Sequence, residues 1–161
     1  MKIIPCELQP DNPRTMANQM GEFLSRFHWD WFVTITFRDE PTDYGAWRRT
    51  YAWLRSLEKS ARRHVGAYIV IEYHRWRGGP NFMVPHSHLL VTGVAGLKRT
   101  VVWKRTFDRY GRTRILPYDP QKGASYYVAK YVAKEVFERG EWDFWRPEVI
   151  QAAQIPLRPG I

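Results

Sequence analysis

Cys6 is the only cysteine in the chain. One thiol cannot close an intrachain disulfide, and there is no cysteine cluster to hold a structural zinc ion. Acidic residues are also scarce: 16 Asp and Glu stand against 25 Lys and Arg, a formal charge of +9. No stretch approaches the roughly 20 apolar residues that cross a bilayer. The opening MKIIPCELQPDNP has too short an apolar run for a signal peptide and carries acidic residues and prolines. Internal repeats and low-complexity tracts are lacking. So is any Gly-x-x-x-x-Gly-Lys-Ser/Thr loop, so no helicase motor is encoded and a host helicase is a candidate partner. These absences leave a soluble, cytoplasmic protein with no membrane partner as the expectation.

What the chain does have suits one compact domain spanning residues 1–161, with 44% hydrophobic residues to build a core. Aromatic residues reach 16%, eight of them Trp, more than a core of this size needs, so some rings are expected to face a ligand. The positive charge fits a polyanionic partner such as nucleic acid, and equally fits a generically basic protein.

Periodicity predicts the order α-β-α-β-β-α-β-α. A helix over Thr15–Phe27 carries Met16, Met20, Phe23, Leu24 and Phe27 at helical spacing. Trp31–Phe37 (WFVTITF) is β-branched and aromatic and reads as a buried strand. Pro41 and Asp43 open a long helix to about His64, with an apolar stripe and an arginine-rich opposite face. Strands follow at Ala67–Arg75 and His86–Thr92, joined by the loop WRGGPNFMVP. A short helix over Val101–Tyr110 ends at Gly111, and a strand covers Arg112–Tyr118. Lys122–Arg139 reads as a helix, and the Trp- and Pro-rich tail from Gly140 gives no clear element. The strand–loop–strand step predicts an α+β domain, an antiparallel sheet with helices on one side.

Two constellations carry chemistry. In His86-Ser87-His88 the two imidazoles, two residues apart on a strand, face the same side and can share one metal ion. Alone, the pair is equally readable as core or solvent-facing histidines. Glu72 strengthens the metal reading, because a carboxylate inside the apolar run AYIVIEY is costly to bury without a partner. The loop after it lets its strand pair with that of His86 and His88. Two histidines and a carboxylate with open positions suit Mg²⁺ or Mn²⁺ more than a closed zinc site. The alternative is an edge salt bridge between Glu72 and an arginine. His74 shares the strand face of Glu72 as a further ligand, a substrate contact or a surface residue. His28 and His64 lie at element ends.

The second constellation is the doubled run Tyr127-Val-Ala-Lys130-Tyr131-Val-Ala-Lys134. At about 100° per residue, Val128, Ala129, Val132, Ala133 and Val136 form one apolar stripe. Tyr127, Tyr131 and Lys134 lie opposite, within about 60° of each other, with Lys130 beside them. A phenol with a pKa near 10 becomes a nucleophile only when a cation lowers that pKa, which the lysines and a metal-bound phosphate supply. The alternative is a tyrosine pair that stacks on DNA bases or faces solvent. Tyr127, farther from the stripe, is expected to act first. Tyr126 reads as structural.

These motifs, in the order FVTITF, His86-Ser87-His88 and YVAKYVAK, resemble those of the HUH endonuclease superfamily, and within it the rolling-circle replication initiators (Rep proteins) of plasmids and single-stranded DNA phages. The resemblance covers roughly Trp31 to Glu135. It implies a ferredoxin-like antiparallel sheet with flanking helices, His86, His88 and Glu72 as ligands of Mg²⁺ or Mn²⁺, and Tyr127 and Tyr131 as nucleophiles served by Lys130 and Lys134. Ser87 replaces the family's usual bulky residue and should face away from the metal. The implied reaction is nicking and rejoining of single-stranded origin DNA, with or without a hairpin, through a 5′-phosphotyrosine. Arg75-Trp76-Arg77 would contact the DNA by charge and stacking, while Arg48, Arg49, Arg62 and Arg63 read as a solvated helix face. An HUH transposase or relaxase, or a non-catalytic single-strand-binding domain, shares most of these features. Leu90, standing where an HxHxH nucleotide hydrolase needs a third histidine, disfavours that class.

Overall fold

Strand β1 (Trp31–Thr36) alternates buried and half-buried side chains along its whole length, as an apolar strand does when its two faces differ in use. The computed structural model describes residues 13–73, 84–124, 127 and 141–156. Helices α1 (Pro13–Leu24), α2 (Asp43–Ala61), α3 (Arg99–Tyr110) and α4 (Pro147–Ala152) accompany strands β2 (Gly66–Tyr73), β3 (Pro85–Thr92), β4 (Thr113–Pro117) and β5 (Trp142–Trp145). The strands form one antiparallel sheet in the order β4-β1-β3-β2-β5. The run β1-α2-β2-β3-α3-β4 is the split β-α-β arrangement of ferredoxin-like domains, and β5 extends it beyond β2.

The helix ends follow their local chemistry. Thr42 caps α2, its hydroxyl accepting the Gly45 N–H at 3.2 Å, a standard remedy for an unpaired first-turn amide. Helix α3 ends at Gly111, whose φ of +126° is open to glycine and strained for other residues. Helices α2 and α3 cover one sheet face. There Trp31, Val33, Ile35, Ile69, Leu89 and Val91 pack with Trp53, Leu54 and Leu57, and the Trp53 indole donates to Thr106 Oγ1 at 2.9 Å across the two helices.

Helices cover the other face too, a correction to the one-sided arrangement read from the sequence. Tyr68, Val70 and Leu90 project there, and Met20, Leu24, Phe27 and Ile150 bury them. The reason lies in β2, whose run GAYIVIEY is buried at every position except Glu72. A strand apolar on both sides needs cover on both sides. The tail that gave no clear element supplies part of that cover as β5 and α4. Glu58 of α2 holds the tail in place, accepting from Arg146 Nε at 3.0 Å and from the Val65 amide at 3.2 Å. Burial raises the Glu58 pKa, but these bonds outweigh it and leave the carboxyl below its ordinary range. Among the described residues no helix is long and apolar enough to cross a membrane.

A methyl group on Gly111 would lie 2.6 Å from the Thr36 carbonyl oxygen and 2.9 Å from the Arg38 amide. Gly111→Ala should therefore cost about 2–3 kcal/mol in urea unfolding, from left-handed strain plus a displaced β1 end. A loss below about 0.5 kcal/mol would mean that this turn does not constrain β1.

Candidate active site

Pairing of β1 and β2 with β3 builds a polar patch on the α1 side of the sheet. In register, Thr34 faces His88 and Thr36 faces His86 across β1–β3, while Val70 faces His88 and Glu72 faces His86 across β2–β3. Directly opposed residues in an antiparallel pair project to the same face, so Thr34, Thr36, Glu72, His86 and His88 share one surface. Both histidines are buried, at 5% and 7% exposure, so their ring orientations are set by neighbours rather than by solvent.

Those neighbours are specific. Thr36 Oγ1 lies 2.7 Å from His86 Nδ1, and Thr34 Oγ1 lies 3.1 Å from His88 Nδ1. His88 Nε2 lies 2.8 Å from Glu72 Oε2. Beside an ionised carboxylate Nε2–H donates, which makes Nδ1 the acceptor of the Thr34 hydroxyl. The two rings are nearly parallel, 17° between planes, with centroids 6.5 Å apart. Ser87, between them, points to the opposite face, where its hydroxyl meets Thr50 Oγ1 at 2.6 Å. The serine is thus part of the α2 packing and leaves the histidine face untouched.

The patch floors an open cleft of about 600 Å³, whose rim carries Arg38, Arg112 and Arg114. Arg114 stands opposite Thr34 in the β1–β4 register. The cleft therefore combines imidazole and carboxylate donors with guanidinium groups suited to phosphate oxygens. Among the described residues no three His, Cys, Asp or Glu side chains converge as a ready metal cage. The contact made is that of Glu72 with His88. The donor set of two imidazoles and one carboxylate still fits a divalent cation in kind.

Tyr127 lies on this same sheet face, but not exposed as the helical periodicity predicts. It is buried, at 8% exposure, with Phe32 at 4.8 Å and Tyr118 at 5.2 Å between ring centroids. Its hydroxyl accepts the Asp119 amide at 3.3 Å. Phe32 in turn stacks on His88, 9° from parallel at 6.4 Å, so one ring separates Tyr127 from the histidine. Aromatic cover from β1 and the 118–119 segment thus overrides the helix-wheel expectation that Tyr127 is open. Burial pushes the Tyr118 phenol up to about 12, with Tyr127 and Asp119 adding to the rise, which keeps it protonated and a poor nucleophile. Lys130, Tyr131 and Lys134, the neighbouring Tyr126, and the segment with His74, Arg75, Trp76 and Arg77 lie outside the described residues.

Thr34, Thr36, Arg38, Arg112 and Arg114 were not singled out by sequence reasoning. A signal for the threonines exists: two hydroxyls at spacing two inside WFVTITF, the same period as the two histidines. The arginines give none, because only strand pairing brings β4 beside β1.

The fold and the cleft define a basic, ferredoxin-like domain with a histidine-carboxylate patch between arginines. The chain belongs to the replication-associated protein ORF2 family, whose model matches residues 30–136, well over half of the sequence, and this membership gives it a role in DNA replication. The matched span opens one residue before β1 and takes in Glu72, both histidines and the doubled tyrosine motif. No curated protein and no solved structure matches the chain.

Thr34→Val and Thr36→Val keep side-chain shape and remove the hydroxyl. Each should cost about 1 kcal/mol in unfolding, and long-range ¹H–¹⁵N spectra should show the opposing histidine losing its single ring tautomer. Thr→Ser variants should restore it. Unchanged ring spectra in both valine variants would remove the threonines from the site.

Proposed function

We propose that the protein is a replication initiator that nicks and rejoins single-stranded DNA through a tyrosine. The observation that carries this reading is the placement of Tyr127, the first residue of the doubled Tyr-x-x-Lys run, on the sheet face of His86, His88 and Glu72, one aromatic ring from His88. Nucleophile helix and phosphate-handling residues are thereby brought to one surface, which two unrelated motifs would have no reason to share.

In this reading the guanidinium groups of Arg38, Arg112 and Arg114 hold the DNA backbone at the cleft rim, and the Nε2 atoms of His86 and His88 with the Glu72 carboxylate would hold Mg²⁺ or Mn²⁺. Such a cation, when bound, supplies positive charge against the scissile phosphate and its developing oxyanion. Thr34 and Thr36 keep both imidazoles oriented, the supporting role that second hydrogen bonds play for ligating histidines. A tyrosine oxygen forms a bond to phosphorus as the bond from phosphorus to the 3′ oxygen breaks. The phenol releases its proton, stabilised as phenolate by Lys130 or Lys134, and the departing 3′ oxygen takes one up. The 5′-phosphotyrosine retains the phosphoester bond, so a later 3′-OH can reverse the step without a nucleotide cofactor.

Burial of Tyr127 reverses the order expected from the helix wheel. Its hydroxyl is occupied by the Asp119 amide and its ring is enclosed, so Tyr131 is assigned the first cleavage, with Tyr127 or another end acting afterwards. Random and hairpin-bearing oligonucleotides incubated with Mn²⁺ should yield a covalent adduct that survives a denaturing gel and disappears with EDTA. His86→Ala should lose the adduct and keep DNA binding. Tyr131→Phe should lose most of it, Tyr127→Phe should retain it, and peptide mapping should place the nucleotide on Tyr131. DNA binding without any adduct would make the protein a non-catalytic single-strand-binding domain, and an adduct in the double Phe variant would move the nucleophile elsewhere.

A further inference from the structure

On the side of the sheet away from the cleft, helices α2 and α3 leave an arginine-walled groove between them. Two adjoining hollows, of about 460 Å³ and about 140 Å³, share Arg109 and Tyr110. The first runs past Gly45, Arg48, Ala52 and Arg55 of α2. The second continues past Ser56 and Ser60 to Arg105 of α3. Gly45 and Ala52 keep the floor of the first low while arginines rise on both walls. From Gly45 to Ser60 the groove follows α2 for roughly 22 Å at 1.5 Å per residue.

The charge here is uncompensated. Among the described residues, Arg48, Arg55, Arg105 and Arg109 have no carboxylate partner, whereas Arg49 is tied to Asp39 and stands over Phe37. Three of the four lie on aromatic shelves, Arg48 over Tyr44, Arg55 over Trp145 and Arg109 over Tyr110, at 5.4–5.8 Å from the ring centroids. Such a shelf limits the rotamers of a guanidinium and leaves its in-plane N–H donors for an anion. An arginine-rich helix face is ordinarily a solvated surface, but here two helices direct their arginines into one shared channel.

We infer that this groove binds the phosphate backbone of double-stranded DNA, as a second contact separate from the cleft. The length matches an extended polyanion, since roughly 22 Å of B-DNA carries about six phosphates per strand at 3.4 Å each. The lining distinguishes duplex from single strand. Apart from Tyr44, already covered by Arg48, the walls offer no exposed ring, and single-strand grooves depend on aromatic platforms for the bases. Backbone contacts of this kind position a duplex without reading its sequence. A protein that opens a strand at the cleft would then hold the adjoining duplex, or a hairpin stem, on its opposite face.

The test uses the full chain, labelled oligonucleotides and EDTA, so that binding is read without cleavage. A single strand, a blunt DNA duplex and a duplex RNA are titrated at several salt concentrations against wild type, Arg48→Ala/Arg55→Ala/Arg109→Ala and the corresponding triple Lys variant. In the Ala variant duplex DNA affinity should fall roughly a hundredfold at 0.1 M salt, and the log–log salt slope should flatten by about 2 to 3, near 0.9 per lost phosphate contact. Single-strand affinity should stay within about threefold, and the Lys variant should keep most of the duplex affinity. The inference is overturned by duplex binding unchanged in the Ala variant, by equal losses on single strand and duplex, or by a groove-dependent gain seen with RNA and not with DNA. Failure of nicking would leave these readings intact, since none of them depends on the tyrosines.

Discussion

One strand pairing organises this molecule: β1 against β3, in the register that sets Thr34 beside His88 and Thr36 beside His86. Side chains alternate with a period of two, so a slip of one residue would turn both histidines into the α2 core and bring Ser87 to the cleft. Contacts on both faces oppose that slip. On one side Ser87 bonds Thr50 of α2; on the other the two threonines bond the two imidazoles. The hydrogen bonds that orient the rings are therefore the same ones that hold the sheet in register, and the apolar residues between them, Ile35 and Leu89 among them, complete the core.

The second face of the sheet divides its area between cover and cleft. Toward one end, α1 and α4 bury Tyr68, Val70 and Leu90. Toward the other, polar side chains replace apolar ones and no helix covers them among the described residues, leaving the cleft with its arginine rim. Phe32 and Tyr127 sit at the border. A ring there serves both sides, closing the apolar cluster and stacking on His88. The outer surface of α2 and α3 carries a second concentration of arginines, so the positive charge of the chain is gathered on two faces of the sheet rather than spread evenly.

Much of the fold was legible because its signals are local. Trp31–Phe37, Ala67–Arg75 and His86–Thr92 were each recognisable as strands, matching β1, β2 and β3 to within two residues, because β-branched and aromatic runs bounded by turns leave few alternatives. Gly111 marked the end of α3 in the same way. The tail beyond Gly140 was not legible. Trp142–Trp145 has no alternation of its own and becomes a strand only because β2 offers it an edge, while Glu58, distant in sequence, anchors Arg146. The one-sided arrangement of helices failed for a related reason: an apolar strand does not declare which face a distant helix will cover.

The sequence by itself determined that His86 and His88 share a face, that Ser87 turns away, and that Glu72 stands alone in an apolar strand, since each follows from the two-residue period of one chain segment. Only the tertiary structure decided that Thr34 and Thr36 meet those histidines, that arginines from β4 border them, and that Tyr127 is enclosed rather than open. These depend on register and packing between segments far apart in the chain, where hydrogen bonding and burial choose the partner. A helical wheel records the direction of a side chain around its own axis. The burial of Tyr127 was settled by Phe32 and Tyr118, which that wheel does not contain.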